Sequence, residues 1–170
     1  GRIDIGFGRI RQDDPGVVRE VLREEPLIAA IPRDHALSVG KRAVSLVELA
    51  SCDLLVYPSA PRPSYADQVL SLLRDCGVEP AHVREVQEMQ TALGLVSAGM
   101  GVAVVPLSAR QLSLADVVYR PVKERQAVSP VIMSTRQGDR NPDIAAMRWL
   151  ANELFAAPEH APARRVRQKT

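Results

Sequence analysis

Along this chain the spacing of apolar positions switches between a period of two and one near 3.6, and each switch predicts an element. Ile3, Ile5 and Phe7 alternate with Asp4 and Gly6, which predicts a short strand ending before Ile10, and Asp13–Asp14–Pro15–Gly16 is turn chemistry. The segment VVREVLREEPLIAAIP is extended, with Val17, Arg19, Val21, Arg23 and Glu25 on one face and Val18, Glu20 and Leu22 on the other. A second apolar strand, Leu27 to Ile31, ends at Pro32, and Asp34 to Arg42 reads as a polar loop. Ser45, with Glu48 three residues on, opens a short helix by a capping box. Leu54 to Tyr57 is a buried strand, followed by the proline-rich loop PSAPRPS. Ser64 caps a helix with Val69, Leu72, Leu73 and Cys76 on its apolar side and Gly77 as its stop.

The stretch EVQEMQTALGLVSAGMGVAVVP, Glu85 to Pro106, sets the fold class. A helix with Met89, Ala92, Leu93 and Val96 on one side halts at Gly99 and Gly101, and the chain resumes as the apolar run Val102 to Val105. Such a strand–helix–strand crossover predicts an α/β layer protein with a parallel sheet, and places a ligand at the first turn of a helix that follows a strand. Beyond it come a short helix, Ser108 to Leu112, and strands at Val117 to Val122 and Val131 to Thr135. A last helix opens with Asn141 as cap and Pro142 at its first position, and runs to about Phe155. The two late strands break the βαβ rhythm, which predicts two subdomains joined by hinge strands.

Composition narrows the function classes. The 170 residues are 46% hydrophobic, enough for a real core. Twenty-two basic and 20 acidic residues are interspersed, so the body carries no nucleic-acid footprint. Basic residues gather only in the tail, at Arg164, Arg165, Arg167 and Lys169, behind Pro158 and Pro162, and residues 157–170 are expected to be disordered. Cys52 and Cys76 read as buried free thiols, and no run approaches the ~20 apolar residues of a membrane span. A cytoplasmic protein is expected, and the abrupt opening within a strand suggests a piece of something longer.

Candidate chemistry favours binding over catalysis. Gly94, Gly99 and Gly101 are not a phosphate-binding fingerprint, and His35, His82 and His160 have no acid or serine at a recognised spacing and read as surface residues. No metal set or cofactor motif is apparent, and no enzyme is expected. The features that suit a small anion are Arg9 past a strand end, Arg62 just before the Ser64 helix start, Arg23 with Glu25 on a strand, and Glu88 before the central helix. Spacing alone leaves each open as an ordinary surface charge or cap. Tyr57 and Tyr65 can serve as aromatic walls or as core.

Taken together, GRIDIGFGRIR, VVREVLREEPLIAAIPRDHAL, LLVYPSAPRPSYADQVL, EVQEMQTALGLVSAGMGVAVVP and VIMSTR resemble the effector-binding domain of LysR-type transcriptional regulators. The resemblance covers about residues 1 to 156 and points to the benzoate- and muconate-responsive activators of aromatic catabolism. RDHAL stands where the family has a His-Pro-Leu motif, with Ala36 for the proline. The resemblance implies a periplasmic-binding-protein-like α/β fold of two Rossmann-like subdomains, residues 1–24 plus 130–156 and residues 25–129, joined by hinge strands around a ligand cleft. It further implies an inducer pocket at Arg9, Pro63, Ser64 and Tyr65, with Arg9 countering a carboxylate and the Ser64 helix start donating N–H groups. Arg23, Glu25 and Phe155 match a second aromatic-acid pocket, where Phe155 replaces a tyrosine, and Glu88 matches a coupling carboxylate. The expected partners are a small carboxylate inducer, DNA through an N-terminal domain outside this chain, and further copies in a dimer or tetramer, with no membrane. The alternatives are a LysR-type sensor of a non-aromatic molecule, a periplasmic solute receptor, or an enzyme on the same scaffold.

Overall fold

The computed structural model describes residues 3–156, so the tail expected over 157–170, with His160, lies outside the described residues. The described chain forms two compact units. One comprises residues 3–8, 13–23 and 131–156; the other comprises Arg9–Gln12 and Glu24–Pro130.

In the first unit, β1 (Ile5–Gly8) pairs antiparallel with β7 (Val128–Arg136), Phe7 opposite Met133. In strand order β7 lies between β1 and β2 (Val17–Pro32). Helix α4 (Pro142–Ala156) begins as its sequence predicts, with the Asn141 side-chain oxygen accepting from the Asp143 N–H at 2.9 Å. Ile144 and Ala151 are buried on it, whereas Met147, Leu150 and Leu154 are exposed.

The second unit contains most of the core. Its strand order is β6 (Val117–Pro121), β2, β5 (Val102–Pro106), β3 (Asp53–Val56), β4 (His82–Glu85). β3 is parallel to both β4 and β5, but β2 runs antiparallel to β5 and β6. The sheet is therefore mixed, not the parallel sheet the crossover predicts. A βαβ crossover fixes only the strands it joins; the direction of β2 depends on contacts remote in sequence. The crossover itself is present: β4 leads into α3 (Met89–Ser97), and α3 into β5 on the far side of β3. All of β5 is buried, as are Ala92, Leu93 and Val96 on the helix above it.

Four local readings are corrected. A single 16-residue strand runs through Pro26, where two strands were expected; proline removes a donor without bending an extended backbone, and the Leu27 N–H resumes pairing to the Ala127 carbonyl at 2.8 Å. Within the expected polar loop, Ala36–Ser38 forms a 3-10 turn capped by His35, whose Nδ1 accepts from the Leu37 N–H at 3.1 Å. His35 is thus half-buried, 3.7 Å from the Cys52 sulfur, and not a surface residue; Cys52 and Cys76 are half-buried where burial was expected.

Helix α1 (Leu46–Ala50) opens with the Ser45–Glu48 capping box, and glycine ends both longer helices of this unit. Helix α2 (Tyr65–Asp75) closes with Gly77 at φ +69° and α3 with Gly99 at φ +75°. Each end makes the paired back-bonds of a Schellman motif, Val78 N–H to the Leu73 carbonyl and Met100 N–H to the Leu95 carbonyl, both 2.9 Å. Gly101 is more constrained: at φ +146°, a Cβ there would stand 2.4 Å from the Asp53 carbonyl oxygen. It is a close-approach residue that brings β5 alongside β3.

Candidate functional site

The site is built around a buried carboxylate. Glu25 lies on β2 with 1% of its surface exposed, between exposed Glu24 and Pro26. One carboxylate oxygen accepts from Arg9 Nη2 at 2.5 Å, and the other from the Ser108 N–H at 2.5 Å. Burial alone would raise its pKa, but the hydrogen bonds from Arg9 and Ser108 outweigh burial and hold the carboxyl below its ordinary value. Glu25 thereby fixes the Arg9 guanidinium, whose Nη1 is buried and has no hydrogen-bond partner among the described residues.

Arg9 edges a cavity of about 410 Å3, with Arg11 beside it, Pro63 and Ser64 at the start of α2, and Gln68 and Leu72 along that helix. Three of the four residues expected around the inducer, Arg9, Pro63 and Ser64, therefore share one cavity wall. Tyr65, the fourth, faces away from it: its ring is buried, stacks on Tyr57 with centroids 5.1 Å apart, and its hydroxyl donates to the Val104 carbonyl at 3.4 Å.

The start of α2 is occupied from within. The Ser64 N–H donates to Asp67 Oδ2 at 2.7 Å, and the Ser64 hydroxyl donates to the Pro58 carbonyl at 2.9 Å. Arg62, expected to converge here, instead pairs with Asp67 and, at 2.6 Å, with Glu85. The Asp67 carboxylate thus answers the first-turn donor and the nearby cation together, and its pKa lies below the usual value because those hydrogen bonds outweigh its burial. This leaves Arg9 and Arg11 as the cations on the cavity wall, Arg9 held by Glu25 and Arg11 3.4 Å from Glu24.

Tyr57 is 8% exposed and stacks on Tyr65; burial raises its pKa, with the Arg9 charge and the Tyr65 hydroxyl acting in the opposite sense. In the other unit, the Arg23 guanidinium sits 5.2 Å from the centroid of the Phe155 ring, a cation–π contact. Glu88 is exposed at the N-cap of α3, with no side-chain cap hydrogen bond. Among the described residues no group of three His, Cys, Asp or Glu side chains can hold a metal ion. No helix there is long and apolar enough to cross a membrane.

Sequence reasoning missed the Ser108 N–H, 83 residues from its Glu25 partner, and the Asp67 carboxylate that closes the helix start. The second was accessible, since acid three residues after a serine is a capping-box spacing. The first carries no local signal.

The profile of the LysR substrate binding domain matches residues 1–159. The chain belongs to that family. Among LysR relatives it is 46% identical over 156 residues to the probable cat1 operon transcriptional activator of Acinetobacter lwoffii, covering 92% of this chain and 51% of that protein. It is 47% identical over 145 residues to the HTH-type transcriptional regulator CatR of Pseudomonas putida, covering 85% of this chain and 49% of that one. The solved BenM effector binding domain with its effector benzoate superposes with a TM-score of 0.85 at 35% identity, over 91% of this chain and 70% of that chain. The α/β architecture is that of LysR effector-binding domains, which is periplasmic-binding-protein-like. These relatives are transcriptional regulators, not enzymes. The chain spans about half the length of the curated LysR relatives it matches.

Proposed function

We propose that this chain is the inducer-sensing domain of a LysR-type transcriptional regulator, and that it binds a small aromatic or unsaturated carboxylate such as muconate, benzoate or a chlorinated analogue. The observation that carries this reading is Arg9: one of its nitrogens is locked to buried Glu25, and the other, buried and unused, belongs to a side chain on the wall of a cavity of about 410 Å3. A carboxylate guest is countered there by the Arg9 guanidinium, through a charge-assisted hydrogen bond. Pro63 and Ser64 form the adjoining wall, and Tyr65 supports it from behind.

In the same reading, Arg23, Glu25 and Phe155 form a second aromatic-acid site and Glu88 couples the two, within subdomains of residues 1–24 plus 130–156 and 25–129. The regulator acts in the cytoplasm as a dimer or tetramer, contacts DNA through an N-terminal domain outside this chain, and controls an operon for aromatic degradation. Ligand affinity that differs between two conformations is what shifts such a switch.

Calorimetric titration of the full-length protein with cis,cis-muconate, benzoate and chlorinated muconates tests the proposal. The expected result is saturable heat with at least one of them, lost in Arg9→Ala. Heat with none of them, and with a non-aromatic acid instead, overturns the aromatic reading and leaves the family membership standing.

A further inference from the structure

The loop that brings Pro63 and Ser64 to the cavity wall is poor in backbone donors. Pro58, Pro61 and Pro63 have no N–H, so the segment PSAPRPS, Pro58 to Ser64, carries more carbonyls than donors to match them. Side chains supply what is missing. The Ser64 hydroxyl donates to the Pro58 carbonyl at 2.9 Å, Arg62 Nε to the Ser59 carbonyl at 3.0 Å, and Gln87 Nε2 to the Ala60 carbonyl at 2.6 Å. In return the Ser59 hydroxyl donates to Gln87 Oε1 at 2.7 Å, and the Ser59 N–H to the Val86 carbonyl at 2.9 Å.

Arg62 joins three pieces of the second unit at once. Besides its bond to Ser59, one terminal nitrogen pairs with Asp67 in the first turn of α2, and the other with Glu85 at the end of β4, at 2.6 Å. Pro63, Ser64 and Asp67 line the cavity, but Arg62 does not. All three groups are partly exposed, so these ion pairs contribute little to global stability. What they fix is the place of the wall. A planar guanidinium presents its donors in a rigid fork, which an ammonium group of the same charge does not reproduce.

We propose that Arg62 is a positioning residue for the inducer site: it touches no guest, and through Ser59, Asp67 and Glu85 it sets the Pro63–Ser64 wall against which the guest fits. This rests on the inducer-binding reading of the preceding section. A wall held in place by several bonds discriminates between guests that differ by one substituent, whereas a wall that yields accommodates both.

The test uses Arg62→Gln, Arg62→Lys and Gln87→Ala in the full-length protein. Each is titrated with cis,cis-muconate, benzoate and a chlorinated analogue of each, with thermal melting recorded without ligand. In Arg62→Gln, affinity for the guest that wild type prefers should fall about tenfold, the size of one charge-assisted hydrogen bond. The ratio between that guest and its chlorinated or unchlorinated counterpart should move toward one. Arg62→Lys should leave the ratio lowered, and Gln87→Ala, which releases the same loop from the other side, should shift it in the same direction. The ligand-free melting temperature should change little in all three. A wild-type ratio already at one overturns the inference, as does a ratio unchanged in Arg62→Gln or restored by lysine. Equal loss for both guests with a lowered melting temperature also overturns it, because that marks a role in the fold alone. If Arg62→Gln does not fold, Gln87→Ala decides, and an unchanged ratio there overturns the inference. Wild type that binds none of the four compounds overturns the reading of the preceding section and this inference with it, whereas binding with an unchanged ratio overturns this inference alone.

Discussion

Arg9 and Glu25 meet at 2.5 Å, with the carboxylate 1% exposed and the guanidinium side chain 26% exposed. The pair is asymmetric, and the asymmetry is useful. The buried partner has its two oxygens taken by Arg9 and Ser108, so the half-exposed partner is held in one orientation while keeping a donor unused.

Removing Glu25 should therefore damage the fold as well as the site. Glu25→Ala leaves the Ser108 N–H and Arg9 without their acceptor, and breaking a buried pair costs about 3 kcal/mol or more. Urea denaturation should show a lower midpoint with an unchanged slope.

The same carboxylate predicts a pH dependence. Its folded pKa lies below the unfolded value, so its contribution to stability is complete above the unfolded pKa and is lost as the pH falls through the folded one. Acid titration of the melting temperature should show wild type losing more stability below about pH 4.5 than Glu25→Gln does.

Gly101→Ala tests the close approach of β5 to β3. A methyl group there meets the Asp53 carbonyl oxygen at 2.4 Å on a backbone at φ +146°, and neither atom is on a flexible side chain. Strain of this kind costs on the order of 2 kcal/mol. Differential scanning calorimetry should show a clear drop in melting temperature, whereas Gly94→Ala, with open space around it on α3, should be neutral or slightly stabilising.

Phe155 lies beneath the Arg23 guanidinium, so its ring and not a hydroxyl makes the contact. Phe155→Leu should weaken any second benzoate-binding event by a few-fold through loss of the cation–π term, about 0.5–1 kcal/mol. Phe155→Tyr should strengthen it. Two-site analysis of the benzoate isotherm reads both; a tyrosine variant with unchanged second-site affinity removes Phe155 from the proposed site.

Glu88 is exposed and makes no side-chain cap hydrogen bond, so Glu88→Gln should leave the melting temperature within about 0.5 kcal/mol of wild type in stability terms. If it couples the two proposed sites, a transcriptional reporter should show an altered inducer dose response. An unchanged response makes the start of α3 scaffold alone.

Elements whose causes are local are legible in the order of residues alone. The capping box at Ser45 and Glu48, the glycine stops at Gly77 and Gly99, the Asn141–Pro142 helix start and the buried run Val102–Pro106 all follow from residues within a few positions of one another. The motifs carrying the family likeness are likewise contiguous, which is why Arg9, Pro63 and Ser64 could be nominated together. What each of those residues does with its hydrogen bonds depends on the folded chain. That Arg62 is neutralised by Asp67 and Glu85, that Tyr65 turns into the core, that Ser108 holds Glu25, and that β2 runs antiparallel to β5 depend on partners up to 83 residues away. Period and capping are short-range effects of the backbone and can be seen in a short window. Pairing of charges and strand direction are settled by burial, where a polar group must find a partner wherever the folded chain supplies one.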